Sequence, residues 1–167
     1  MALLASPTCF NVRLAAGAEA AYLGAARCLD CHTQPGPLRQ QDGSTDWVAL
    51  TEAHTWLAVD KHSLAFDVLK SDYSAAMGQR LGIDDVSKDA SCLSCHAGWM
   101  KGHSQPPHVE LGVSCEACHG PSSLYDLPHT NHEWRAKSAA EKAALGMVDV
   151  RDPAKSTEQC LSCHIGN

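Results

Sequence analysis

Four times in this sequence two cysteines, separated by two residues, are followed directly by a histidine. The copies are Cys28-Leu29-Asp30-Cys31-His32, Cys92-Leu93-Ser94-Cys95-His96, Cys115-Glu116-Ala117-Cys118-His119 and Cys160-Leu161-Ser162-Cys163-His164. Two thiols at this spacing reach the two vinyl groups of one haem as thioethers, and the adjacent imidazole swings under the ring to bind iron. With 9 Cys and 10 His in 167 residues, chance alone gives roughly 0.03 copies of the pattern. A zinc ribbon uses two Cys-x-x-Cys pairs per metal, and a disulfide framework uses cysteines alone. Neither accounts for a histidine after the second cysteine every time. The motifs are therefore read as attachment sites for four covalently bound c-type haems, with His32, His96, His119 and His164 as proximal iron ligands.

The elements that carry these motifs have little chain to work with. At 167 residues the size prior is one domain, and four haems leave roughly 42 residues for each. That is too little to enclose every haem separately, so the haems must pack on one another and form much of the core. The expected fold is mainly α with long loops, a small multihaem c-type cytochrome whose core is largely haem. Aromatic residues at only 5% suit such a core.

Local signals place the helices. Leu57, Leu64, Ala65, Val68 and Leu69 fall at helical spacings, predicting a helix from Thr51 to Leu69 with Thr51 as its cap. His54 and His62, eight residues apart, would lie about 80° apart around it. A short helix is expected from Ser74 to Leu81, stopped by Gly82, and another starting at Asp89 or Ser91 carries the second motif. Gln34-Pro35-Gly36-Pro37 forbids a long helix after the first motif, and the polar run to Asp46 reads as a loop, as does Gly102 to Gly112. Gly120-Pro121 ends the third motif. A third helix is expected from Ala136 to Leu145, closed by Gly146, and Ser156 with Gln159 reads as a capping box leading into the fourth motif.

The formal charge is −6, and haem propionates would add to it. An acidic surface excludes nucleic acid as a partner and points to redox partner proteins with a basic docking face. No apolar run is long enough for a transmembrane segment. Residues 1–20 are rich in Ala and Leu and end in Ala18-Glu19-Ala20, a small-x-small pattern, and read as a leader or a disordered tail. Cys9, the one cysteine outside the motifs, falls within it. Residues 21–167 form the tetrahaem domain. Haem attachment of this kind takes place outside the cytoplasmic membrane in bacteria, so a periplasmic or otherwise external location is expected.

The order and surroundings of the motifs resemble the tetrahaem cytochrome c family that includes the electron acceptor of hydroxylamine oxidoreductase. Three features carry the resemblance: Trp56 followed by His62-Ser63-Leu64-Ala65-Phe66 and Leu69; the string Gly112-Val113-Ser114-Cys115-Glu116-Ala117-Cys118-His119-Gly120-Pro121; and a histidine some ten residues beyond it, His129. The resemblance implies that His62 is the distal ligand of the haem held by Cys115 and Cys118. It implies equally that His129 serves the haem held by Cys28 and Cys31, with His132 close enough to replace it. For the haem of Cys92 and Cys95 the family's electron carrier leaves iron five-coordinate, whereas this chain offers His103, His108 and His54 nearby, and Met100 reads as loop packing.

Function follows from filled axial positions. Several haems with histidine on both faces leave no place for substrate and offer a series of redox centres, which is an electron carrier with mostly bis-histidine low-spin haems. The alternatives are a multihaem redox enzyme acting on a small nitrogen or sulfur compound at an open haem, or a subunit of a haem filament. In the family that the chain resembles, the last haem's distal ligand lies downstream of its motif. Here only three residues follow His164. The expectation is therefore a fragment or subunit whose fourth haem takes its distal histidine from absent sequence or a partner subunit, with His132, His108 and His54 as internal substitutes.

Overall fold

The computed structural model describes residues 19–33, 50–100 and 102–164. Among these the chain is helical, without a strand, and the helices are short. They are α1 (Ala25–His32), α2 (Glu52–Val59), α3 (Asp72–Leu81), α4 (Ala90–His96), α5 (Cys115–His119), α6 (Glu133–Ala136), α7 (Ala139–Ala143) and α8 (Pro153–His164). Single 3-10 turns at Lys61–Leu64, Asp67–Lys70, Val109–Leu111 and Pro128–Thr130 lie between them. The mainly α expectation holds. No helix of the described residues is long and apolar enough to cross a membrane.

Each motif lies on a helix that ends at its histidine: α1 at His32, α4 at His96, α5 at His119 and α8 at His164. The helical repeat explains the motif. Positions i, i+3 and i+4 share one face, so both thiols and the imidazole of a motif point the same way.

Several boundaries follow the local chemistry. Ser71 accepts a hydrogen bond from Ser74 N–H at the start of α3, and Gly82, left-handed at φ 70°, ends it. Asp89 accepts from Ser91 N–H and starts α4. The helix expected from Thr51 to Leu69 is broken. Asp60 is extended (φ −84°, ψ 119°), and its carboxylate accepts the His62 N–H, beginning a 3-10 turn in place of a further α turn. A short carboxylate side chain offers the backbone this local partner and so competes with the helix. Thr51 gives no side-chain cap.

The helix expected from Ala136 to Leu145 divides at Lys137 and Ser138, because Ser138 and Glu141 make a capping box that begins α7. The box expected at Ser156 and Gln159 is absent, since α8 has already begun at Pro153. There the Asp152 carboxylate accepts the Ala154 N–H at 2.9 Å, and proline suits a first helical position. Ser156 Oγ turns back to the Pro153 carbonyl, and Gln159 Nε2 donates to the Ala117 carbonyl at 3.1 Å, tying α8 to α5. The loop expected after the first motif, like residues 1–18 of the expected leader, lies outside the described residues.

Apolar side chains bury themselves in two small groups. Phe66, Leu69, Val86, Leu93 and Ala97 form one, with Ile83, Trp99 and Val109 packed against it, and Leu93 is fully enclosed. Tyr22, Ala25, Tyr125 and Trp134 are buried elsewhere, on the N-terminal segment, α1 and the chain following the third motif. Between α4 and α5 the backbones close up at Gly98, where an added Cβ would fall 2.3 Å from Ala117 Cβ.

Candidate haem-binding site

The motif helices touch one another as a series: α1 on α5, α5 on α8 and α8 on α4. Their thiols follow suit. The Cys28 and Cys115 thiols lie close enough to interact, which pushes the Cys28 thiol up and holds Cys115 down, at about 7. Cys163 is pushed up by burial and by its approach to Cys95, and Cys118 by burial and then by Cys160. All eight motif cysteines are free thiols. Among the described residues no three His, Cys, Asp or Glu side chains converge on a metal position. The thiols line up motif beside motif and form neither disulfides nor a zinc cage.

A cavity of about 410 Å³ opens between the first and third motifs, within the range of small-molecule and cofactor sites. Cys28, Cys31 and His32 line it together with Cys115, Cys118 and His119, and His62 and His129 reach it as well. Trp56, Val113, Leu127 and Met147 supply apolar wall. Trp56 is held by its Nε1–H, which donates to the Val113 carbonyl at 3.0 Å. Burial, and then the neighbouring His32, lower the affinity of His119 for a proton, favouring the neutral imidazole that binds metal.

Two pairs of imidazoles face each other. A metal–nitrogen bond of about 2 Å, plus roughly 1 Å from nitrogen to ring centre, sets two imidazoles on one metal roughly 6 Å apart. The His32 and His129 rings are 6.3 Å apart and 15° from parallel. The His62 and His164 rings are 6.0 Å apart at 76°. In three of these four, and in His96, Nδ1 has an acceptor. His32 meets the Glu52 carboxylate at 3.0 Å, His62 the Asp60 carboxylate at 2.9 Å, His96 the Ala65 carbonyl at 2.7 Å and His129 the Tyr125 carbonyl at 3.1 Å. A carbonyl can only accept, so Nδ1 carries the proton in His96 and His129 and Nε2 keeps its lone pair for a metal.

His62 reaches two motifs at once. It lines the cavity with Cys115, Cys118 and His119, where the resemblance sets it, and its ring also lies 6.0 Å from that of His164 of the fourth motif. The break at Asp60 takes His62 out of the register of α2. The fourth motif thus has a second imidazole near its own histidine within the described residues. The His129 ring lies beside that of His32.

Of the other histidines, His54 engages the Thr33 carbonyl through Nε2 at 3.0 Å and His108 meets the Glu110 carboxylate at 3.1 Å. His103 packs edge-on to Tyr22. His132 follows the turn that carries His129.

Sequence reasoning missed the residue that ties the first and third motifs together. Glu116, only 2% exposed, accepts the N–H groups of Leu23 (3.0 Å), Gly24 (2.7 Å) and Ser122 (2.8 Å), and the Ser122 hydroxyl at 2.6 Å. A carboxylate with four donors is a stable buried charge. It fixes the segment leading into α1 against the third motif. The Tyr125 hydroxyl closes the same region by donating to the Gly120 carbonyl at 2.9 Å.

The chain matches the family described as cytochrome c554 and c-prime over residues 27–120, a stretch that takes in the first three motifs. It is also 25% identical over 162 residues to cytochrome c-554 of Nitrosomonas europaea, across 89% of this chain. The chain spans about 59% of that relative's length. No solved structure matches it.

Proposed function

The chain belongs to the cytochrome c554 and c-prime family of haem-binding c-type cytochromes, and from that premise we propose that it is an electron carrier holding four covalent haems. Cys28 and Cys31, Cys92 and Cys95, Cys115 and Cys118, and Cys160 and Cys163 would hold them, with His32, His96, His119 and His164 as proximal ligands. His129 is the distal ligand at the first motif and His62 at the fourth. The facing of His32 with His129 and of His62 with His164 carries this reading. A bound haem supplies a one-electron couple at each motif.

The protein's part is spacing and orientation. The helix order α1, α5, α8, α4 sets the motifs out as first, third, fourth, second. The third motif lies beside the first and the fourth, and the second beside the fourth and, at Gly98, the third, so bound haems would form one connected set of redox centres. Proximal histidines on the last turn of short helices keep each imidazole fixed relative to its two thiols. The acidic charge favours partners that dock through a basic face, and covalent haem attachment of this kind supports a location outside the cytoplasmic membrane.

Mass spectrometry and EPR of the protein made with haem-maturation machinery test the proposal. Four covalent haems are expected, with low-spin iron at the first and fourth motifs. Fewer than four, or zinc in place of haem, overturns it.

A further inference from the structure

The histidines assigned to iron are held in two different ways. His96 and His129 are tied to neutral backbone carbonyls of Ala65 and Tyr125. His32 and His62 are tied to carboxylates, Glu52 at 3.0 Å and Asp60 at 2.9 Å. Both carboxylates are built into the local backbone. Asp60 accepts the His62 N–H at 3.0 Å as well as its ring Nδ1, so one side chain fixes both the turn and the imidazole on it. Glu52 is the first residue of α2, and reaches across to α1, whose contact with α2 brings the two together.

We propose that Asp60 and Glu52 are positioning residues that act through His62 and His32 to lower the reduction potentials of the haems at the fourth and first motifs. This rests on the ligand assignment above. An imidazole whose Nδ1–H points at a carboxylate gives up part of that proton's charge and becomes a stronger donor at Nε2. A stronger donor favours the ferric state, and hydrogen bonding to the ligand is one of the levers a protein has on haem potential. A carbonyl does the same more weakly, because it carries no full charge. The side chains of Glu52 and Asp60 are 56% and 43% exposed. Solvent therefore screens the long-range Coulomb part, and the directed hydrogen bond carries the effect.

Removing the charge while keeping the acceptor isolates this role. Asp60→Asn retains an oxygen for the His62 N–H, and asparagine caps as well as aspartate; Glu52→Gln is the matching change on α2. Potentiometric titration of the holoprotein, followed by haem absorbance, should show one component moved to more positive potential in each variant and two in the double variant. EPR should still show low-spin iron.

Unchanged midpoints with low-spin iron overturn the inference. So does loss of low-spin iron in the amide variants, which would make the carboxylates props for the ring without a tuning role. His62→Ala separates this from the ligand assignment. If it yields high-spin iron while Asp60→Asn moves no potential, only the tuning role fails. If it leaves every iron low-spin, the assignment of His62 fails.

Discussion

The imidazoles of His32 and His129 lie 6.3 Å apart, centre to centre, and within 15° of parallel, although 97 positions separate them in the chain. The His32 ring is held by Glu52 and the His129 ring by the carbonyl of Tyr125. Two rings restrained from behind at this separation suit the two axial positions of one iron, as proposed, and the His62 and His164 rings lie at a similar distance, with His62 restrained by Asp60. His129→Ala is therefore expected to turn one low-spin iron high-spin in the EPR spectrum of the oxidised holoprotein, with its potential raised by loss of an imidazole that favours ferric iron.

The pairing of His62 with His164 has its own test. His62→Ala should produce a high-spin iron that binds carbon monoxide on reduction. Adding Cys160→Ala and Cys163→Ala, which removes covalent attachment at the fourth motif, should abolish that signal. Persistence of the signal in the triple variant would show that His62 faces another iron, and the third motif would be the first to examine.

Glu116 gives a stability prediction. Replacing it with alanine strands the N–H groups of Leu23, Gly24 and Ser122 and the Ser122 hydroxyl, at about 1–3 kcal/mol for each donor left unpaired. Thermal unfolding should show a fall of several degrees or more. Glu116→Gln should cost less, because an oxygen at the Oε1 position still serves Leu23 and both Ser122 groups, and only Gly24 then faces an NH₂. Equal losses in the two variants would mean that packing volume, and not the donor set, makes Glu116 necessary.

The motifs and the helical class were legible because both rest on local periodicity. A thiol, a thiol and an imidazole at i, i+3 and i+4 must share a face whatever surrounds them. The helix breaks at Asp60 and Ser138 were less visible, since each depends on a side chain capturing a backbone N–H that a continuous helix would have used. A signal was present in both places: an acidic residue two before a histidine, and a serine three before a glutamate. The approach of His62 to His164 could not be read at all. It depends on how α8 lies against α4 and α5, and nothing in the spacing of the sequence encodes that contact. The same is true of Glu116, which looks in the sequence like a filler between two cysteines.

Electron exchange with a physiological partner should slow as salt rises. The chain's formal charge is −6, and screening over about 8–10 Å at ordinary ionic strength weakens steering toward a basic docking face. Stopped-flow rates over a range of salt concentrations check this. A flat profile would point to apolar docking or to a standing complex.

The last prediction concerns the other filler of the third motif, Ala117. Its methyl group lies under Gly98, just past the end of α4, where a Cβ on residue 98 would fall 2.3 Å from Ala117 Cβ and 3.3 Å from its Cα. Gly98 also has φ +65°, where a side chain costs about 1–2 kcal/mol. Overpacking adds about 1–3 kcal/mol. Gly98→Ala should therefore lower the thermal midpoint by an amount that corresponds to about 2–5 kcal/mol. The two contributions can be separated. Ala117→Gly removes the methyl group and costs about 1 kcal/mol by itself as a helical glycine, but in the double variant it should recover the overpacking part and leave the backbone strain. A double-mutant cycle reads this directly as a favourable coupling between the two sites. Strict additivity would show that the ends of α4 and α5 do not meet at these two residues, and with that the close approach of the second and third motifs would lose its support.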